Sequence, residues 1–222
     1  MQYQTVIFDF DSTLIRFESL EEILLPMIGV DSKKKAAIQS ITERAMNGQM
    51  SFQDALFERL NIASPTKASF EMFLTQYCPS ALTSGIEALV KVLQANNIAV
   101  YIISGGFKEI ILPFAEYLRI PKENVYAVEL EWTNSGAFKH LNNQNGFAES
   151  KLAGAQRIQH LFSDKSVIVG DGFTDYELYH VGIVNDFIAY TEHAQRQKVL
   201  DVAPKVADSV SVLESLLFAG GY

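Results

Sequence analysis

The 222-residue chain has a single cysteine, Cys78. One thiol builds neither a disulfide framework nor a thiolate metal site within one chain. Basic residues are also scarce: 18 Lys and Arg stand against 26 Asp and Glu, a formal net charge of −8. Nucleic acid and anionic membrane surfaces attract basic patches, so neither suits this chain as a partner. The densest basic cluster, DSKKK at 31–35, reads as a solvated helix start. No apolar run approaches the roughly 18 residues of a membrane span. The four histidines (140, 160, 180, 193) show no metal-ligand spacing, and no repeat or low-complexity linker is present. The start of the chain enters a strand-like run with no targeting pattern. A cytoplasmic protein is expected, a monomer or homodimer.

What is present is an alternation of strands and helices with one interruption. TVIFDF (5–10) is a β-branched and aromatic run, the mark of a buried strand. Residues 16–78 then show apolar positions at helical spacing, broken by Gly, Pro and Asn, with no strand-like run. From residue 84 the alternation begins. A helix with a Ser84–Glu87 capping box is followed by a strand at 98–104. A helix over 107–118 is bent or bounded by Pro113. A hairpin turns at Asn134-Ser135-Gly136, with Trp132 packed inside it. Then come a helix (149–162), a strand (166–172), a helix (174–181), a strand (187–190) and a last helix (209–218). The pattern predicts an α/β protein with a doubly wound parallel sheet. The core domain would comprise residues 1–15 and 79–222, and an inserted helical-bundle cap residues 16–78.

In open parallel sheets, ligands bind beyond the carboxyl ends of the strands. Three strands end there in acids, a hydroxyl or glycine: Asp9-Phe10-Asp11, Ser104-Gly105-Gly106, and Gly170-Asp171-Gly172 with Thr174 and Asp175 following. Asp9, Asp11, Asp171 and Asp175 gathered in one place repel one another unless a cation sits among them. An all-oxygen donor set suits a hard ion, so Mg²⁺ is the expected cofactor. Glycines beside Ser104 let backbone N–H groups approach phosphate oxygens, and Lys151 can neutralise a phosphoryl group. Phosphoryl transfer through an aspartyl-phosphate needs this set.

Asp9-x-Asp11-x-Thr13, Ser104, Lys151 and Gly170-Asp171-Gly172-x-x-Asp175 resemble the four ordered motifs of the haloacid dehalogenase-like phosphatases, over almost the whole chain. Within that superfamily the chain is most similar to the phosphoserine phosphatases. The resemblance implies that Asp9 is the nucleophile, Asp11 the general acid and base, and Lys151 the charge-balancing catalytic group. Asp9, the Asp11 carbonyl and Asp171 would hold Mg²⁺, with Asp175 directly or through water. Ser104, Gly105 and Thr174 would contact phosphate. Glu18 would meet the substrate ammonium, Arg59 its carboxylate, and Met46 and Phe52 its apolar surroundings. Thr174 stands where many members have Asn, and LNNQNGFAES (141–150) departs from the usual approach to the lysine, leaving Lys139 and Lys165 as rivals.

Plainer readings accompany these. Glu18 suits a first helical turn, Arg59 a helix surface, Met46 and Phe52 a bundle core, and Thr13 a loop bond; Arg196 either approaches the pocket or, the preferred reading, lies on a solvated face. The alternatives in function are a related phosphatase for phosphoethanolamine- or phosphocholine-like metabolites, a phosphotransferase, and a phospho-acceptor signalling domain.

Overall fold

The computed structural model describes residues 3–46 and 49–219, without the side chains of Glu43 and Met46. Among these residues seven strands form one sheet in the order β4-β3-β2-β1-β5-β6-β7. They are β1 (Thr5–Phe8), β2 (Ala99–Phe107), β3 (Val125–Trp132), β4 (Phe138–Asn142), β5 (Ser166–Gly170), β6 (Asp186–Tyr190) and β7 (Lys205–Ala207). All pairings are parallel except β3 with β4. The central strands are apolar along their length, as strands covered on both faces must be: every residue of β1 and of β5 is buried.

Chain order reverses direction across β1, whose neighbours are β2 and β5. That reversal opens a crevice at the carboxyl ends of β1, β2 and β5, the three strands that carry the polar motifs.

Four helices follow β1: α1 (Ser19–Ile28), α2 (Ser32–Met46), α3 (Phe52–Ala63) and α4 (Lys67–Tyr77). Ser51 caps α3, accepting from the Asp54 N–H, and Thr66 and Ser69 form a capping box on α4. The apolar faces Ile23/Leu24/Ile28 and Leu56/Leu60/Ala63 are buried in one continuous core with the sheet. The α3–α4 corner is also tied to the β3–β4 hairpin. Thr66 bridges Ala137, the Lys67 N–H donates to the Gly136 carbonyl (2.8 Å), and the Phe138 N–H donates to the Pro65 carbonyl (3.0 Å). The remaining helices are α5 (Ile86–Ala95), α6 (Lys108–Tyr117), α7 (Lys151–Ile158), α8 (Phe173–His180), α9 (Gln197–Leu200) and α10 (Val210–Phe218). Among the described residues no helix is long and apolar enough to cross a membrane.

Three expectations need correction. Ser84 caps nothing: Gly85, at φ +86°, holds the position before α5, and no side-chain cap forms. β2 runs past residue 104 to Phe107, with irregular register against β3 between Ile103 and Phe107, so the Ser104 turn lies within the strand's frayed end. Pro113 does not bound α6 but lies inside it. Trp132 stays in the hairpin, opposite Phe138, and its ring also packs edge-on against Phe70 of α4. β7 and α9 were not anticipated; three and four residues are too few to show a period.

Candidate active site

β1 delivers Asp9 buried at its carboxyl end, and the loop after it turns sharply. Ser12 adopts φ +51°, an uncommon left-handed conformation for a serine, and its hydroxyl donates to Glu18 (2.8 Å). Asp9 Oδ1 accepts from the Phe10 N–H (2.7 Å) and lies 2.9 Å from Lys151 Nζ. The same lysine is 2.6 Å from Asp175 Oδ1. Lys151, Asp9 and Asp175 are all buried. Burial alone would pull Lys151 down, but the Asp175 and Asp9 carboxylates outweigh it and hold the ammonium above its ordinary pKa.

Lys151 reaches this place because 141–150 is an ordered plug. Phe147 is fully buried beneath α7, where any Cβ on Gly154 would fall 2.4 Å from its ring. The Asn145 amide donates to the Ala127 carbonyl (2.9 Å), and Ser150 caps α7. The rivals are elsewhere: Lys139 pairs with Glu131 on the hairpin, and Lys165 precedes β5 at the opposite sheet edge.

Asp11 is half-buried, and its Oδ1 accepts from the Ser19 N–H (2.9 Å). Burial pushes its carboxyl up to about 8, with the charges of Glu18 and Asp9 acting the same way and the Ser19 N–H opposing them. Asp171 and Asp175 are pushed up too, by burial and then by the Asp9 charge; Arg196 opposes the first shift, Lys151 the second. Ser104 is buried and its hydroxyl accepts from the Gly106 N–H (3.0 Å). A Cβ on Gly105 would meet the Phe52 ring at 3.5 Å, so the ring lies against bare backbone.

Asp9, Asp11, Glu18, Phe52, Arg59, Ser104, Gly105, Lys151, Asp171 and Thr174 line one cavity of about 800 Å³. Asp175 is buried and lies against Asp9 and Asp171. Met46 ends α2, and its side chain lies outside the described residues. Arg59 is largely buried, its Nε donating to the Ala55 carbonyl and its guanidinium 4.0 Å from Glu21. Burial lowers its pKa, against the raising effect of Glu21 and Glu18.

Arg196 is exposed, yet its head group turns into the cavity. Its Nε donates to Asp171 Oδ2 (2.8 Å) and its terminal nitrogen to Glu18 Oε1 (3.2 Å). It sits six residues beyond β6 at the same sheet edge, which is the signal that could have found it. Glu21 and Glu177 also line the cavity unanticipated.

Asp9, Asp171 and Asp175 each offer a carboxylate oxygen, all within 4.8 Å of one another. The cavity lining carries six acids (Asp9, Asp11, Glu18, Glu21, Asp171, Glu177) against three bases (Arg59, Lys151, Arg196). A hard oxygen-seeking cation fits this donor set, since like carboxylates this close disfavour joint ionisation without one.

Residues 6–180 match the haloacid dehalogenase-like hydrolase family profile. The chain is 37% identical over 216 residues to a phosphoserine phosphatase of Rattus norvegicus, covering 95% of this chain and 92% of that one. It is 37% identical over 202 residues to a phosphoserine phosphatase of Drosophila melanogaster, covering 89% and 72%. A crystal structure of a phosphoserine phosphohydrolase-like protein from Francisella tularensis superposes with TM-score 0.89 at 47% identity, covering 96% of this chain and 99% of that one.

Proposed function

The chain belongs to the haloacid dehalogenase-like hydrolases, and we propose that it hydrolyses O-phospho-L-serine to serine and phosphate, with Mg²⁺, through an aspartyl-phosphate on Asp9. The observation that carries the substrate is one cavity with the Asp9–Lys151–Asp175 group at its floor and both Glu18 and Arg59 in its walls. Phosphoserine presents a phosphate, an ammonium and a carboxylate, and these groups answer all three. A guanidinium fork matches a carboxylate.

Asp9 Oδ1 is occupied by the Phe10 N–H and Lys151, which aims the other oxygen at phosphorus. As the new P–O bond forms, the seryl P–O bond breaks, and its oxygen takes the proton of Asp11. Burial keeps that carboxyl protonated near neutral pH. Asp11, now a carboxylate, then takes a proton from the water that cleaves the acyl phosphate. Lys151 and the backbone N–H groups around Ser104 and Gly105 balance the phosphoryl charge, and Thr174 adds a hydroxyl at the rim. Asp9, Asp171 and the Asp11 carbonyl would hold Mg²⁺, with Asp175 behind them. The ion's contribution when bound is to draw charge from the phosphoryl oxygens. Residues 16–78 act as a cap over a core of 1–15 and 79–222, excluding water while the intermediate stands.

The test is kcat/KM for L-phosphoserine against phosphoethanolamine, with Mg²⁺ and with EDTA. A strong preference for phosphoserine, lost on chelation and absent in Asp9→Asn, is expected. Mg²⁺-dependent turnover without that preference would discard phosphoserine as the substrate.

A further inference from the structure

Arg196 reaches the cavity from a segment with little to hold it. Residues 192–196 lie between β6 and α9. Among the described residues no main-chain to main-chain hydrogen bond involves 192–195. Side chains hold the segment instead. The Tyr190 hydroxyl donates to Glu192, and the His193 ring lies edge-on to Tyr190 with 6.1 Å between centroids. His193 Nε2 is 2.9 Å from the Thr83 hydroxyl oxygen. Thr83 is buried, and its hydroxyl donates to the Thr13 carbonyl (2.7 Å). A hydroxyl has one proton to give, so in the contact with His193 the imidazole donates, through Nε2–H. The Thr83 N–H also donates to the Leu14 carbonyl (2.9 Å). His193 therefore ties the segment to the loop that carries Asp11.

Three residues on, Arg196 holds Asp171 with Nε and Glu18 with its terminal nitrogen. The bond from Arg196 and the bond from the Ser12 hydroxyl both land on Glu18 Oε1. Glu18 Oε2 accepts no hydrogen bond among the described residues, and Glu18 lines the cavity. Resting on the reading of Glu18 as the group that meets the substrate ammonium, we propose that His193 is a positioning residue for substrate selection. By fixing the segment on Thr83, it places Arg196 where the guanidinium locks Oε1 and leaves Oε2 for the ammonium. Without that tie the segment drifts, and Glu18 loses one of the two bonds that set its orientation. A group held in place before the substrate arrives binds it without a further ordering cost. The ammonium is the substrate group that gains, because other groups answer the phosphate and the carboxylate.

The experiment compares kcat/KM for L-phosphoserine and for 3-(phosphooxy)propionate, the same molecule with hydrogen in place of the ammonium, with Mg²⁺. The proteins are wild type, His193→Ala, His193→Gln, Arg196→Ala, the His193→Ala/Arg196→Ala double variant and Glu18→Ala. The ratio of the two values does not depend on the fraction of folded enzyme. His193→Ala should lower it about fivefold, the order of one neutral hydrogen bond. His193→Gln, whose amide N–H donates from a similar reach, should hold the wild-type ratio. Adding His193→Ala to Arg196→Ala should lower the ratio no further, because the tie acts only through the guanidinium. An unchanged ratio in His193→Ala, the same fall in His193→Gln, or an additive fall in the double variant overturns the proposal. Glu18→Ala separates the two levels. If it leaves the ratio unchanged, Glu18 does not meet the ammonium and the underlying reading fails; if it lowers the ratio while His193→Ala does not, only the role of His193 fails.

Discussion

Gly170→Ala perturbs the site without touching any group that meets substrate. Gly170 lies in β5, so the backbone accepts alanine; the space does not. The new Cβ would fall 2.3 Å from both Cγ and Oδ2 of Asp175. Real Cβ atoms essentially never come closer than 3.0 Å, so the carboxyl must retreat by at least about 0.7 Å. It has nowhere easy to go. Asp175 is wholly buried, with one oxygen on Lys151 Nζ and the other on the Gly172 N–H (3.1 Å). Breaking a buried ion pair costs about 3–5 kcal/mol; a displaced partner retains some of it, so about 2–4 kcal/mol is expected. For a chain of this length that lowers Tm by roughly 5–15 °C. Lys151 also positions Asp9, and a misplacement approaching 1 Å can cost about a hundredfold in kcat. Gly172→Ala is the control: its Cβ would meet Asp175 Oδ2 at 3.1 Å, a far milder intrusion. Calorimetry and steady-state kinetics on both variants decide the matter. A Gly170→Ala protein that melts and turns over like wild type refutes the idea that Asp175 is rigidly held under Lys151.

Arg59→Ala should raise KM for phosphoserine about tenfold or more while sparing phosphoethanolamine, which has no carboxylate to pair; equal losses on both would make Arg59 a structural residue. The raised carboxyls predict a pH dependence of stability. An acid whose pKa rises on folding carries no penalty below its unfolded value, and the penalty grows as pH climbs towards the folded one. Asp11, pushed up to about 8, with Asp171 and Asp175 also raised, should therefore make the metal-free protein less stable at about pH 8 than at about pH 5. Added Mg²⁺ should raise Tm more at the higher pH. Melting curves in EDTA that stay flat or improve with rising pH would contradict this.

Most of the sheet was legible because its strands are covered on both faces and so are uniformly apolar, and because acids abruptly end them. The site was legible in the same places, since a carboxylate after a buried strand has few structural uses. Lys151 reads as the site lysine with Lys139 and Lys165 as rivals; the burial of Phe147 against Gly154, beside it, is a side-chain fit that no periodicity encodes. For Arg196 the sequence favours the solvated face over the pocket, because the segment 192–196 has no periodicity and its charge looks solvated. His193 carries no signal for a related reason: its partner, Thr83, lies 110 residues away, and no spacing records the bond. The failed Ser84 cap shows a local motif yielding to one left-handed glycine beside it.

The backbone bonds between the α3–α4 corner and the hairpin have a mechanical consequence. A segment attached only at its two ends could swing as one flap. Pinned also at the α3–α4 corner, this one is fastened to the β3–β4 hairpin at the edge of the sheet. Phe52 and Arg59 stand on α3, the helix that runs into that corner. Glu18, at the start of the segment, is moored separately, to Ser12 and Arg196. Lifting the whole segment off the cavity would therefore break two separate sets of bonds, those of the α3–α4 corner and those of Glu18.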